Sequence, residues 1–395
     1  MREADAEPGA TLPRTVWALG LVSLFMDASS ESIHALLPLF LTLTLGASAA
    51  TVGLIDGVGE AVASVTKMLS GTLSDRMGKR KPLVVIGYGL AAISKPLFAI
   101  AGSAAVVFAA RFADRFGKGV RGAPRDALVA DVTPPELRGR AFGLRQALDT
   151  VGAIIGPLAA IGLMAAFADN MRLVFWIATV PAALAALVVL FGVKDHEVAA
   201  KAARPRSSIR FRDLRVLPGP FWQVIAIATV FTLARFSEAF LVLKANAVGL
   251  PLTLAPMVLV AMSLVYAAGS YPAGAWADRT PVRRLLIAGL ACLITADLVL
   301  AAAASVAVAF VGIILWGAHM ALSQGLMGKL VADHAPPGLR GSSFGVFHLA
   351  TGLATLAASV GAGLLWDQIG PAATFVAGAL FAALAMGMAW RIERP

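Results

Sequence analysis

Charged residues are scarce in this sequence, and cysteine is almost absent. Of 395 residues only 14% are Asp, Glu, Lys or Arg, and the single cysteine is Cys292. One thiol cannot form an intrachain disulfide or a cysteine-based metal cluster, so nothing here indicates redox chemistry or a zinc site. We expect no metal and no cofactor.

Sequence signatures of enzymes are missing as well. The chain has no phosphate loop, zinc-binding pattern or nucleophile elbow. Gly57 and Gly59 stand in an apolar run, without the strand, turn and helix that a dinucleotide fingerprint requires. We therefore predict that the chain is not an enzyme and does not hydrolyse ATP on its own.

Apolar residues make up 58% of the chain, and the mean hydropathy is +0.80. A soluble domain does not need so much apolar surface. Because about 20 apolar residues in a helix cross a hydrocarbon core about 30 Å thick, such runs predict twelve membrane-spanning helices. Their predicted bounds are 15–45, 49–74, 82–101, 104–128, 141–168, 172–193, 221–245, 252–276, 284–301, 304–330, 342–366 and 372–391.

Two polar segments recur about half a chain apart. LVADVTPPELRGRAFG at 128–143 returns as LVADHAPPGLRGSSFG at 330–345, and GTLSDRMGKRKP at 71–82 returns in weaker form as GAWADRTPVRR at 274–284. Landmarks at nearly the same offset predict two similar halves, as parallel repeats across the membrane normal. The predicted fold is all-α and integral to the membrane, with six-helix bundles at 1–193 and 221–395 and a linker at 194–220.

The net charge is +10, and the basic residues concentrate in every second connection, with Arg172 as the clear exception. By the positive-inside rule, both termini and the linker are cytoplasmic. Topology therefore accounts for the charge, and we expect a lipid bilayer, not nucleic acid, as the partner. The predicted location is the inner, cytoplasmic membrane.

The connection after the second predicted span carries the pattern G-x-x-x-D-R-x-G-K-R, on Gly71, Asp75, Arg76, Gly78, Lys79 and Arg80. Together with the spans and the two halves, it resembles the major facilitator superfamily of secondary transporters over nearly the whole chain. The resemblance implies a cytoplasmic gate, in which Asp75 accepts from the N-terminus of a facing helix and Arg76 completes an ion pair. The alternative is that the basic residues only determine topology. In the second copy Asp278 and Arg279 remain, but Thr280 and Pro281 break the pattern.

The fifth predicted span resembles the antiporter motif of drug/proton exchangers in the same superfamily. The matching residues are Gly143, Gly152, Gly156 and Pro157, whereas Ala160 replaces the final glycine of the motif. Such glycines allow close helix packing, and the resemblance implies export. A plain small-residue packing helix would show similar glycines.

The fourth predicted span is unusually charged. At 100° per residue, its charges fall in a stripe of roughly 140°, and the residues are Arg111, Asp114, Arg115, Lys118, Arg121, Arg125 and Asp126. Each ionised group at the bilayer centre would cost about 2.5 to 3.5 kcal/mol, so the stripe must face a wet cavity or charged partners. We expect Arg111, Arg115 and Lys118 to function in transport, and the last three residues to pair near the helix end.

Carboxylates recur at helical spacing on the first two spans. Asp27 and Glu31 are four apart with His34 three further on, and Asp56 and Glu60 are four apart. Each set therefore shares one helix face. Carboxyl groups that are poorly solvated can hold a proton that an adjacent base displaces, which makes these residues candidates for proton carriage. Structural ion pairs with Lys67 or with the bases of the fourth span are the alternative.

The seventh span repeats this theme with Arg235 and Glu238, and FSE at 236–238 loosely corresponds to SSE at 29–31. We predict a secondary transporter that moves a small solute by alternating access, with proton-coupled export as the first hypothesis. Arg111, Arg115, Lys118 and Arg235 would hold substrate charge or displace the proton, between the halves near mid-membrane.

Proton-linked or gradient-driven uptake of an organic or inorganic anion is the alternative function, and a non-transporting receptor is a further one. A cavity with both signs of charge is compatible with a zwitterion, an organic anion or a chelated metal, and the sequence does not choose among them. We expect a monomer, because the pathway lies within one chain, and we expect the first half to carry most of the coupling chemistry.

Overall fold

The computed structural model describes residues 11–77, 79–193, 217–277, 280–323, 326–335 and 340–390. Within these ranges the chain is helical and contains no strand. The helices of the first half are α1 (Arg14–His34), α2 (Leu37–Leu39), α3 (Ala49–Met77), α4 (Lys81–Ile100), α5 (Ala104–Val132), α6 (Arg138–Ala166) and α7 (Met171–Gly192). Those of the second half are α8 (Gly219–Leu233), α9 (Ala239–Ala247), α10 (Met257–Ala277), α11 (Val282–Ala302), α12 (Val306–Ser323), α13 (Leu326–His334), α14 (Arg340–Gln368) and α15 (Pro371–Trp390).

Nine helical stretches in the described ranges are long and apolar enough to cross a membrane. The charged α5 and the helices α1 and α8 are not among them. The prediction of an all-α integral membrane fold is confirmed, while the count of twelve spans and the two domain bounds stay predictions. Linker residues 194–216 and both chain ends lie outside the described residues.

The first predicted span is a broken helix, which sequence analysis did not anticipate. α1 ends at His34, and the chain continues through a turn, the short α2 and a π-helical turn at Phe40–Thr44. Pro38 is the local cause, because proline has no N–H and its ring clashes with the carbonyl four residues earlier, here that of His34. The break leaves Glu31 and His34 in the last turn of α1.

The seventh predicted span is also broken. α8 ends at Leu233 and α9 begins at Ala239, so that Arg235, Ser237 and Glu238 lie on a non-helical segment. Ser237 Oγ accepts a hydrogen bond from the backbone N–H of Ala239 at 3.1 Å and so supports the restart of the helix. Broken helices inside a membrane occur where the backbone lines a cavity or is buried in protein.

The two halves pack along α3 and α14, with a second contact between α6 and α10. We call the end of the bundle that holds the α3–α4 turn the basic end, after Arg76, Lys79 and Arg80. The other end, which holds the first residues of α3 and the last residues of α14, is the far end.

At the far end, hydrogen bonds join the halves directly. Asp367 accepts from the backbone N–H of Ala49 at 3.0 Å and of Ala50 at 2.8 Å. These N–H groups open α3 and have no partner within their own helix. Thr253 Oγ1 also donates to Asp169 Oδ1 at 2.6 Å. The space between the halves is therefore closed at the far end.

Candidate functional site

A cavity of about 420 Å³ lies between the halves. It contains nine of the ten predicted pathway residues, all except Asp27. The lining residues are Glu31, His34, Asp56, Glu60, Arg111, Arg115, Lys118, Thr232, Arg235, Phe236, Ser237, Glu238, Trp316, Met320, Thr355 and Ser359. Both halves contribute, and the acidic and basic side chains come mostly from the first.

Two arginines of α5 are neutralised by two carboxylates of α3. Arg111 Nη2 lies 2.9 Å from Asp56 Oδ1, and Arg115 Nη1 lies 3.1 Å from Glu60 Oε1. Asp56 and Glu60 are four residues apart on α3, and Arg111 and Arg115 are four apart on α5. The two ion pairs therefore lie one helical turn apart. Asp56 and Glu60 thus form ion pairs with bases of α5, and their predicted role in proton carriage stays a prediction.

The inner ion pair is also bound to groups from other helices. His34 Nδ1 accepts from Arg111 Nη2 at 2.9 Å, since a guanidinium can only donate. Asp56 Oδ2 accepts from Ser237 Oγ at 2.7 Å. Asp56 therefore connects α3 of the first half to the break between α8 and α9 in the second half.

Four charged groups of the cavity have no ion pair within 4.0 Å in the part of the chain that the structure describes: Glu31, Lys118, Arg235 and Glu238. Arg235 Nε is buried without a hydrogen-bond partner, and the guanidinium lies 5.7 Å from the ring centre of Phe231. Glu31 and Glu238 line the same cavity, the first from α1 and the second from the break between α8 and α9. Lys118 is exposed, which indicates that the cavity opens toward the basic end.

Asp27 lies outside the cavity lining. Its Cβ faces Gly152 of α6, where an added Cβ would be 3.2 Å away. It is half-buried between α1 and α6. Its predicted role in proton carriage stays a prediction.

The charged stripe of α5 divides between the cavity and fixed partners. Asp114 Oδ1 accepts from Lys95 Nζ at 2.7 Å, and both side chains are almost fully buried. Arg121 lies over the ring of Tyr88, with 4.5 Å from its guanidinium carbon to the ring centre. Arg125 pairs with Asp126 at 3.1 Å. The sequence does not reveal the role of Lys95, because a lone lysine in an apolar run gives no indication of its partner.

At the basic end, Arg80 joins three groups of the predicted gate. Its guanidinium lies 2.5 Å from Asp75 Oδ1, 2.9 Å from Asp131 Oδ2 and 2.7 Å from Ser74 Oγ. Burial alone would lower the pKa of Arg80, but the hydrogen bonds to Asp75 and Asp131 outweigh it and hold that pKa above its usual value. Asp75 thus pairs within the first half.

Of the other six predicted gate residues, three lie within the described ranges and three lie outside them. Gly71 lies close to α5, where an added Cβ would be 3.3 Å from Cβ of Ala123, and Arg76 and Lys79 are exposed. Gly78, Asp278 and Arg279 lie outside the described residues, as do the side chains that open α14. The predicted contact of Asp75 with a facing helix stays a prediction.

Two glycines of the antiporter-like motif pack α6 against α1. A Cβ at Gly152 would lie 2.5 Å from the carbonyl oxygen of Leu24, and one at Gly156 would lie 2.6 Å from that of Ala28. Pro157 is buried beside them. Gly143 has no atom within 4 Å of an added Cβ, so it takes no part in this close contact. The motif therefore positions α1, the helix that carries Glu31.

Several residues of interest could not be found from the sequence. Phe236 and Trp316 form an apolar wall of the cavity, and nothing separates them in sequence from other aromatic residues of the spans. Asp297 of α11 is fully buried, and neither carboxyl oxygen has a hydrogen-bond partner among the described residues. Those residues also include no cluster of side chains suited to a metal ion.

Comparison with known proteins identifies the family. The model of the Major Facilitator Superfamily matches residues 19–255 and 239–395. An uncharacterised MFS-type transporter of Methanocaldococcus jannaschii is 31% identical in an alignment of 393 positions that covers 96% of this chain and 95% of the relative. The multidrug resistance protein MdtH of Aeromonas hydrophila subsp. hydrophila is 26% identical in an alignment of 357 positions that covers 89% of this chain and 87% of the relative.

The fold is shared with solved structures as well. A bacterial homologue of the human lysosomal transporter Spinster, in an inward-facing and occupied conformation, superposes with a TM-score of 0.76. That match is 16% identical and covers 97% of each chain. The chain therefore belongs to the Major Facilitator Superfamily and is a multi-pass membrane transporter of a small solute, not an enzyme.

Proposed function

We propose that this transporter exports its solute across the cytoplasmic membrane in exchange for protons. The observation that carries the proposal is the pair of acidic residues, Glu31 and Glu238, which line the cavity from opposite halves and form no ion pair within 4.0 Å in the described residues. Asp56 and Glu60 already have arginine partners, so they are less available to a proton.

Exchange follows from competition at these two carboxylates. A carboxylate that no cation neutralises binds a proton readily in a poorly solvated cavity. A solute with a positive group needs the same two carboxylates in their charged form. Protons and solute then occupy the cavity alternately, and each return step carries one or the other.

Three further features support this direction. The positive-inside rule assigns the basic end to the cytoplasm, and the cavity is closed at the far end, so that a cytoplasmic solute can reach the cavity in this conformation. The spacing of Gly152 and Gly156 resembles that of drug/proton exchangers. One relative carries the name of a multidrug resistance protein.

The two stacked ion pairs would serve to communicate between the halves. Asp56 binds Arg111 on one side and Ser237 of the second half on the other. When Glu238, next to Ser237, gains or loses a proton or a solute, the segment between α8 and α9 shifts its contact with Asp56. The first half would respond through that hydrogen bond.

The test measures flux in proteoliposomes that contain a pH-sensitive dye, with a panel of cationic, zwitterionic and anionic solutes. At least one solute should accumulate against its own concentration gradient when protons flow down their gradient in the opposite direction. Movement of that solute in one direction should move protons in the other. Glu31→Gln and Glu238→Gln should each abolish the coupled proton movement. Glu136→Gln, an exposed glutamate on the α5–α6 connection, is the matched control and should behave as the unaltered protein.

Solute flux that ignores the pH gradient would overturn the coupling. Uptake of an anion together with protons remains the second candidate, because Arg235 and Lys118 would leave the cavity positive once both glutamates are protonated. In the same assay, anions that move in the same direction as protons would establish that function instead.

A further inference from the structure

We propose that the cavity binds a zwitterion with an aromatic or apolar body. This inference rests on the transport site described above and names the class of solute that would enter it. It follows from the charges that remain after the paired residues of the cavity are set aside.

The paired charges leave a balanced remainder. Arg111 and Arg115 are neutralised by Asp56 and Glu60, and His34 is held as an acceptor by Arg111. What remains is two acidic side chains, Glu31 and Glu238, and two basic ones, Arg235 and Lys118. Lys118 is exposed and is therefore solvated by water at the opening of the cavity.

A solute with one sign of charge would leave part of this remainder unpaired. An anion on Arg235 would leave the two carboxylates without a partner, and a cation between the carboxylates would leave the guanidinium unpaired. Arg235 Nε is already buried without an acceptor. An unpaired polar group in such a place costs about 1 to 3 kcal/mol, and more when it is charged. A zwitterion satisfies both signs at once.

The positions of the charges suggest how such a solute would lie. Arg235 and Glu238 are three residues apart on the non-helical segment between α8 and α9, and Glu31 faces them from α1. The fork of the guanidinium matches a carboxylate of the solute. The ammonium group would then lie between Glu238 and Glu31, where it bridges the two halves.

The rest of the cavity suits an apolar body. Phe236, Trp316 and Met320 line it from the second half, and the hydroxyl groups of Thr355 and Ser359 are also part of the wall. Ser359 Oγ is buried and has no hydrogen-bond partner in the described residues. A volume of about 420 Å³ accommodates an aromatic amino acid or a zwitterionic drug of moderate size.

The test compares solutes that share one body and differ in charge. For each of phenylalanine, tyrosine and tryptophan, the free amino acid is the zwitterion, the amide is the cation and the N-acetyl derivative is the anion. Binding to the purified full-length protein is measured by the rise in unfolding temperature with ligand concentration. We expect at least one zwitterion to bind tenfold or more tightly than its cationic and anionic counterparts.

Two variants assign the charges. Arg235→Gln should reduce binding of the zwitterion to the level of the amide, and Glu238→Gln should reduce it to the level of the N-acetyl derivative. Arg138→Gln and Glu136→Gln, at exposed positions, are the matched controls and should leave all affinities unchanged. The proposal is overturned if the cation or the anion binds as tightly as the zwitterion on every scaffold, or if no zwitterion stabilises the protein.

The binding test and the flux test can fail independently of each other. Preferential binding of a zwitterion whose flux ignores the pH gradient would refute proton exchange and retain the solute class. Proton-coupled flux of cations alone would do the reverse.

Discussion

Lys95 and Asp114 form an ion pair that lies apart from the cavity lining and is almost completely buried. Their charged atoms are 2.7 Å apart, and the side chains are 1% and 4% exposed. Lys95 Nζ also donates to Ser30 Oγ at 2.9 Å, so that the pair joins α4 and α5 to α1. Buried charges need an oppositely charged partner, because each of them has lost its hydration.

We predict that Lys95→Met or Asp114→Leu alone lowers the free energy of unfolding by about 3 to 5 kcal/mol, since each leaves a buried charge without a partner. The double change Lys95→Met with Asp114→Leu should regain most of that loss. Denaturant titration of the purified protein measures all three. Single changes that cost no more than the double change would show that the pair is not a unit.

The sequence shows which side chains of the spans carry charge but not which of them form ion pairs. Spacing placed Asp56 and Glu60 on one face of a helix, yet spacing on a single helix cannot reveal that Arg111 and Arg115 stand opposite them. The same limit hid Asp297, whose isolation depends on what α11 and α15 bring near it.

The close packing of α6 on α1 depends on single glycines. We predict that Gly156→Ala lowers the free energy of unfolding by about 1 to 3 kcal/mol, because its Cβ would lie 2.6 Å from the backbone oxygen of Ala28, which cannot move freely.

Gly143→Ala is the matched control on the same helix. No atom lies within 4 Å of its added Cβ, so it should leave stability unchanged or raise it by up to about 1 kcal/mol through helix propensity. Thermal unfolding of the two variants measures the difference in stability. Equal losses for the two would mean that neither glycine acts through close packing.

The apolar runs located the helices well, and they failed where a helix is interrupted. The first and seventh spans were predicted as continuous, because the residues around each break keep their apolar character. Pro38 signals the first break in retrospect. The break between α8 and α9 contains no proline. There Ser237 forms hydrogen bonds with both Ala239 and Asp56.

For the whole molecule, the closed far end depends on a contact between helix ends. Asp367 stands near the C-terminus of α14 and accepts from the first N–H groups of α3. A negative charge at a helix N-terminus is favourable, whereas one at its own C-terminus is not. The contact therefore stabilises the closed far end more than it stabilises α14.

We predict that Asp367→Asn shifts the population toward a far end that is open. The loss of about 1 kcal/mol from a charged helix cap corresponds to roughly a fivefold change in the ratio of the two states. Spin labels at Leu43→Cys and Leu254→Cys, which are exposed on opposite halves, report the change as a longer distance in a Cys292→Ser background. Glu136→Gln should leave the distance unchanged, and an unchanged distribution in Asp367→Asn would contradict the prediction.

The sequence by itself determined the class of protein. Composition required a membrane, the repeated connections indicated two halves, and the pattern at Gly71 to Arg80 indicated the superfamily, because each of these is written in local residue order. Only the tertiary structure decided which charges of the cavity form ion pairs and which have no ion pair in the described residues. Glu31 and Glu238 lie 207 positions apart, and their proximity arises because two broken helices from different halves meet at one cavity.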